Sequence, residues 1–278
     1  NLLAKKLSLS LFSHFEKKSS AKLGIPKGLA LGGVLALMTA LPAAGQVFID
    51  APTTTDLVNA INTANGNAAD HVIRLDEGQT YTLTANLPTV ANNGTLSVIC
   101  TGTVNAIIDG DNSFRPLTMG VGSDLSISKL TVQRGTALRG GGIYNNGGAL
   151  TISNSLITNN KTTGAINTIN GIGAGIFSKG TGGNASVLIQ NSTISINSAS
   201  NRGGGVYSTG GDLTISNTSI LDNSSASSAG GILNASDNLT ISSSTVSGNQ
   251  AITNVGGGVF SGDSDMTIQA SSILYNQS

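Results

Sequence analysis

Gly203-Gly-Gly-Val-Tyr207, then Leu213-Thr-Ile-Ser216, then Ser219-Ile220 and finally Asn223 make one unit of a repeating sequence. The same parts come earlier as Gly140-Gly-Gly-Ile-Tyr144, Leu150-Thr-Ile-Ser153, Ser155-Leu-Ile-Thr158 and Asn160. They return as Gly256-Gly-Gly-Val-Phe260, Met266-Thr-Ile-Gln269, Ser272-Ile273 and Asn276. The central Ile of the middle segment falls at Ile127, Ile152, Ile189, Ile215, Ile241 and Ile268, in steps of 25, 37, 26, 26 and 27 residues. Five residues beyond each lies Val132, Ile157, Ile194, Ile220, Val246 or Ile273. Eight beyond lies Gly135 in the earliest copy and Asn160, Asn197, Asn223, Asn249 or Asn276 in the others.

Triplets such as Leu213-Thr-Ile alternate apolar and polar, which is strand periodicity. A unit of ~26 residues with three short strands cannot bury a face alone, whereas stacking equivalent strands at about 4.8 Å pairs every backbone group. The expected fold is therefore an all-β, right-handed parallel β-helix with three short strands per coil. A β-propeller blade would need ~40–45 residues and four strands. The Gly triplets suit close approach or positive φ. The terminal Asn suits a left-handed turn position, and stacked Asn side chains can form a ladder. Upstream, Ile107-Ile-Asp-Gly110, Phe114-Arg-Pro-Leu117 and Leu125-Ser-Ile127 read as less regular first coils. Leu57, Ala60, Ile61 and Ala64 form the one helical stripe outside the N-terminal region, within Asp56–Asn65. This predicts an N-terminal capping helix opened by Thr54 or Thr55.

Three regions follow: 1–45 as a signal-peptide region, 46–105 as cap and first irregular strands, and 106–278 as the β-helix. Lys22 and Lys27 precede the apolar run Gly28–Leu41, and Pro42-Ala-Ala-Gly45 supplies a small-residue ending, so export with cleavage after Gly45 is expected. The run is shorter than the ~20 residues that span a bilayer. At the other end Asn276-Gln-Ser278 stops as a unit closes, and a truncated C-terminus is expected.

Composition narrows the function classes. Of 278 residues only 10% are charged and 4% aromatic, Trp is absent, and Gly accounts for 37, yet 38% are hydrophobic, too many for a disordered tract. Residues 1–45 hold six Lys and one acid, so eight bases and thirteen acids remain beyond them, a net charge near −5. That disfavours nucleic acid as a partner. Cys100 is the sole cysteine, so no intrachain disulfide can form.

Gly-Gly-Gly-Ile-Tyr-Asn followed by Leu-Thr-Ile-Ser-Asn-Ser resembles the right-handed β-helix repeats of bacterial surface proteins, among them the polymorphic outer-membrane-protein repeats. Asp56–Asn65 with His71–Gly78 and Tyr81-Thr-Leu83 is similar to the N-terminal region of CSLREA-type proteins, although the literal Cys-Ser-Leu-Arg-Glu-Ala string is absent. Together the resemblance spans roughly residues 50–278. It implies a bacterial secreted, cell-surface or outer-membrane protein with an adhesive or structural role, and it names no ligand.

A polysaccharide lyase or hydrolase is the competing expectation, with its site outside this chain. Such sites need clustered carboxylates. From residue 140 onward there is no Glu, His or Cys; the acids are Asp212, Asp222, Asp237, Asp263 and Asp265, and the bases Lys161, Lys179 and Arg202. No catalytic, cofactor or metal residue is assigned. Asp124, Asp212 and Asp265 share a slot three before the repeat Ile and read as turn residues rather than a calcium row. Asp109-Gly-Asp111 reads as a turn, and His71 as a strand residue. The outward Ser/Thr rows beside the repeat Ile read as solvent-facing strand.

Two surfaces are candidates for a glycan or a surface protein. One is the row Tyr144, Phe177, Tyr207 and Phe260 (with Leu233 in the fourth copy), which faces outward if strand alternation holds and inward if the glycines break it. The other is a pair of longer loops around the strand at Phe177. Lys161–Ile172 takes twelve residues where later coils use five or six, and an insertion of four sits at Lys179–Asn184. Lys161, Thr162, Lys179, Thr181 and Asn184 are its candidate contacts, since solenoids extrude insertions as surface loops.

Overall fold

A computed structural model describes residues 45–278 apart from 92–93, 167, 181–184, 236 and 263–264. The export-signal segment up to residue 44 lies outside the described residues, and Gly45 is the first of them. No described helix is long and apolar enough to cross a membrane.

The chain is a parallel β-solenoid of about 8 turns. Its widest sheet has nine strands, from Val47–Ala51 to Met266–Gln269, and carries the repeat Ile. An eight-stranded sheet runs from Thr80–Thr82 to Ser272–Leu274, and a six-stranded one from Leu117–Met119 to Val259–Ser261. Equivalent residues pair in parallel register, as in Leu213↔Leu239, Thr214↔Thr240 and Ile215↔Ile241. The nine-stranded sheet already begins at Val47, so the region 46–105 contributes first strands as well as the helix.

The expectation of three strands per coil is corrected to four. Two-residue strands, from Thr136–Ala137 to Gln250–Ala251, build a five-stranded sheet directly after the Asn position. Lys161–Thr162, Ser198–Ala199 and Ser224–Ser225 belong to it. Their Lys, Ser and Thr have no apolar alternation, so the period-two signal that reveals the other strands is missing here.

Inside, Ile127, Ile152, Ile189, Ile215 and Ile241 form a fully buried column, beside Val132, Ile157, Ile194, Ile220 and Val246. Each such side chain contributes about 1.5–3 kcal/mol on burial. The columns open in the last coil, where Met266, Ile268 and Ile273 are exposed. At the other end helix α1 (Thr54–Asn65) turns Leu57, Ala60, Ile61 and Ala64 into the core beside Ile73, Leu75 and Tyr81. Its N-cap is Thr53, one residue before the expected Thr54, because the Thr53 hydroxyl accepts from the Asp56 amide at 3.2 Å. Tyr81 ties strand to strand: its hydroxyl donates to Ala51 O at 2.6 Å and accepts from Asp76 N at 2.9 Å.

The corners run on two polar ladders. In one, Asn160 Nδ2 donates to Asn197 Oδ1 at 3.0 Å, and Asn197, Asn223 and Asn249 each repeat this to the next Asn at 2.9 Å. Each Nδ2 also reaches a carbonyl of the preceding coil, as Asn223 does to Ile194 O at 2.9 Å. The left-handed residue is not this Asn, as expected from the sequence, but its predecessor: Arg134, Asn159, Ile196, Asp222, Gly248 and Tyr275 have φ between 51° and 67°. Reversing the chain one residue earlier is what aims the Asn side chain inward. The second ladder consists of Ser155, Ser192, Thr218, Ser244 and Ser271. Each hydroxyl donates to the carbonyl two residues back and accepts an amide from the previous coil, as Ser244 does from Thr218 N at 3.1 Å.

Ile196 is the misfit in the left-handed row. A β-branched residue at φ 56° is strained, and its side chain is largely exposed. Ile196→Asn is expected to stabilise the protein by about 1 kcal/mol, read as a higher denaturant midpoint. Ile196→Val, which keeps the strain, should leave the midpoint unchanged; equal midpoints for all three proteins would contradict the strain.

Candidate functional site

Within the six-stranded sheet the alternation survives the glycines. Ile143, Ile176, Val206 and Ile232 are fully buried in the core, so the next residue of each strand points out. The row is therefore an external one. Parallel register sets Tyr144 beside Phe177, Phe177 beside Tyr207, Tyr207 beside Leu233, and Leu233 beside Phe260. The Tyr144 and Phe177 rings stack at 5.4 Å and 3°, and Phe177 and Tyr207 lie at 5.5 Å and 48°. Phe177 and Leu233 are only 2% and 4% exposed despite facing outward, whereas Tyr144, Tyr207 and Phe260 are half-buried.

Glycine shapes the strand entry. The first residue of each triplet takes positive φ, at Gly140, Gly173, Gly203 and Gly256, with Ala229 at 57° in the same slot. A Cβ on the third would press the Asn ladder, at 3.2 Å from Asn223 Cγ for Gly205.

Cations flank the aromatic row. Arg139, Ile172 and Arg202, each immediately ahead of a triplet, pair in register. Lys179 lies two beyond Phe177 and hence on the same outer face. Arg115 covers the row's first ring, with Cζ 5.0 Å from the Tyr144 centroid, and donates to Gly140 O and Arg139 O at 2.8 Å each. Burial lowers the Arg115 pKa, with Tyr144 opposing. Burial pushes the Tyr207 hydroxyl up, opposed by the Arg202 charge.

These residues line two adjoining clefts. One of 210 Å³ lies between Arg139, Ile169, Phe177, Lys179, Arg202 and Tyr207. The other, of 370 Å³, continues past Arg202 and Tyr207 to Leu233, Val255 and Phe260. No described lining residue of either is acidic. Arg202 Nε is buried and has no hydrogen-bond partner among the described residues.

The structure thus joins part of the loop candidates to the aromatic row. Lys179 enters the cleft and the first loop brings Thr168 and Ile169, while Lys161 stays exposed on its two-residue strand beside Thr136 and Ser198. Thr162 is buried and accepts from Ser200 N at 3.3 Å, a structural role. Thr181 and Asn184 lie outside the described residues. Arg139 and Arg202 were not singled out from sequence as binding residues; the available signal was their shared slot, one residue ahead of the Gly triplet two coils apart.

Elsewhere carboxylates serve structure. Asp212 Oδ1 accepts from Asn238 N and Nδ2 at 3.2 and 3.0 Å, which locks a corner. His71 is buried, with Nδ1 2.7 Å from Ala69 O. Asp109 is 2% exposed and takes Arg134, Gln133 Nε2 (2.7 Å) and the Asp111 amide (2.9 Å), with Arg134 Nη2 also at 2.7 Å. Burial raises its pKa, but these bonds outweigh it and hold the carboxyl below its ordinary value. A depressed folded pKa gives stability that is present above the unfolded value near 3.9 and lost as pH falls through the folded one. Unfolding midpoints are therefore expected to drop below about pH 4. Asp109→Asn should flatten part of that drop; identical pH profiles for both proteins would exclude the linkage.

No group of three or more His, Cys, Asp or Glu side chains able to hold a metal occurs among the described residues. No protein-family model, curated protein or solved structure matches the chain.

Proposed function

We propose that this chain is a non-enzymatic, secreted or cell-surface β-helix with an adhesive role, which holds carbohydrate on the outer face of its six-stranded sheet. The observation that carries this reading is the outward row from Tyr144 to Phe260, held in register by backbone pairing. Aromatic faces on a rigid sheet bind sugar rings at little entropic cost, because the rings are ordered before the ligand arrives. The sequence-level export signal and the resemblance to polymorphic outer-membrane-protein repeats support a bacterial surface location. The competing reading, a carbohydrate-active enzyme, would need paired carboxylates within reach of the bound sugar, and no described residue of the cleft lining carries one.

A panel of neutral and acidic oligosaccharides tests the proposal, with binding and release of new reducing ends both measured on residues 46–278. Retention of at least one glycan without cleavage is expected. Tyr144→Ala with Tyr207→Ala should weaken it roughly tenfold or more, on the scale of about 0.5–1.5 kcal/mol per ring. Turnover of any glycan, or no retention at all, sinks the adhesive reading.

A further inference from the structure

We propose that the clefts select an anionic glycan, one whose carboxylate or sulfate is held by Arg202 while its ring lies on Tyr207; this deepens the carbohydrate-binding reading and rests on it. Arg202 is the residue common to both clefts, together with Tyr207. Its Nε is buried without a partner among the described residues, and leaving a buried charged donor unpaired is costly. An anionic oxygen in the cleft would compensate that guanidinium charge, and a planar guanidinium fork suits carboxylate and sulfate alike.

The surroundings favour the same ligand chemistry. Arg139 and Lys179 reach the first cleft from opposite sides of the aromatic row, and neither has an ion-pair partner among the described residues. Arg139 Nε instead donates to the neutral Asn170 Oδ1 at 3.4 Å. This cluster of three cations stands on a chain whose residues beyond 45 are net acidic, so it runs against the chain's overall charge. Arg139 and Arg202 sit two coils apart, roughly 9.6 Å at the strand spacing. Successive negative groups along an extended oligosaccharide, rather than one isolated anion, match such a pair. The apolar floor of Phe177, Tyr207, Leu233 and Phe260 continues between and beyond them. That floor accepts sugar rings, whereas a bare inorganic anion would leave it unused.

The test uses the full chain with a uronate-containing oligosaccharide and its carboxyl-reduced counterpart, which keeps the rings and loses the charge. A sulfated oligosaccharide and its desulfated form make a second pair, and a single-stranded oligonucleotide is the polyanion control. For at least one pair the anionic form is expected to bind roughly tenfold or more tightly at about 50 mM salt, with the advantage shrinking at about 300 mM. Arg202→Met should erase most of that advantage while changing affinity for the neutral form less than about twofold, and Arg202→Lys should restore part of it. If Arg202→Met does not fold, Lys179→Met, at the half-buried rim of the first cleft, must reduce the same preference. Equal binding of charged and neutral forms overturns the inference and leaves the carbohydrate reading intact. No binding of any glycan overturns both. Tighter binding of the oligonucleotide than of every glycan also overturns it, because charge alone would then be the determinant.

Discussion

Asn223→Ala is expected to cost about 4 kcal/mol of stability, far more than the side chain's size suggests. Asn223 is 1% exposed, and its Oδ1 accepts from both Asn197 N (3.0 Å) and Asn197 Nδ2 (2.9 Å). Its Nδ2 donates to Ile194 O and to Asn249 Oδ1, both at 2.9 Å. Alanine leaves two buried donors of Asn197 and the Ile194 carbonyl without these partners, each worth about 1–3 kcal/mol when orphaned. Because a solenoid coil is stabilised by its neighbours, the loss should spread. Amide exchange would quicken at Asn197 and Asn249 as well as at 223. Guanidinium unfolding provides the measurement, with exposed Asn254→Ala as the control, expected within about 0.5 kcal/mol of the parent. If Asn223→Ala unfolds at the same midpoint as that control, the ladder does not hold the coils together.

Gly205→Ala is expected to cost about 3 kcal/mol by overpacking. A Cβ there would stand 2.7 Å from Gly231 O and 3.2 Å from both Asn223 Cγ and Nδ2. One neighbour is backbone of the next coil and the other is bonded on both sides within the ladder, so neither can retreat. The contrast is Gly122, where φ is +72° and a Cβ meets nothing within 4 Å. Gly122→Ala should cost only about 1 kcal/mol, from conformation alone. Comparable losses at both sites would mean that close approach plays no part at Gly205.

The repeat made much of this structure legible in advance. The offsets from Ile215 to Ile220 and Asn223 identify one coil, two core columns and the ladder, because in-register parallel stacking demands the same residue type at the same place in every turn. The stripe Leu57, Ala60, Ile61 and Ala64 identified the cap for the equivalent reason in a helix. The two-residue strands escaped notice because they bury too little apolar surface to leave a periodic trace. The hydroxyl ladder was legible in principle, since Ser155, Ser192, Thr218, Ser244 and Ser271 all fall three residues after the repeat Ile. A small polar residue in that slot also suits any turn, so the type alone does not announce the role.

The direction of the aromatic row and the company it keeps were decided by tertiary structure. Sequence spacing places Tyr144, Phe177 and Tyr207 in one row but leaves their facing open, since a Gly triplet can either preserve or invert strand alternation. Three-dimensional closure settles it: the core has room for Ile143, Ile176 and Val206, and the rings are turned out. Likewise Arg139, Lys179 and Arg202 are scattered over 64 positions of a chain with few charges; a shared repeat slot links Arg139 to Arg202, but no spacing ties Lys179 to them. Stacking brings residues one coil apart to about 4.8 Å, so a separation of 63 along the chain becomes two strand spacings across a sheet. Repetition in the sequence was therefore enough to determine the fold. The clefts arise from its departures from repetition, the long loop after Lys161 and the isolated cations, whose positions only the packed coils define.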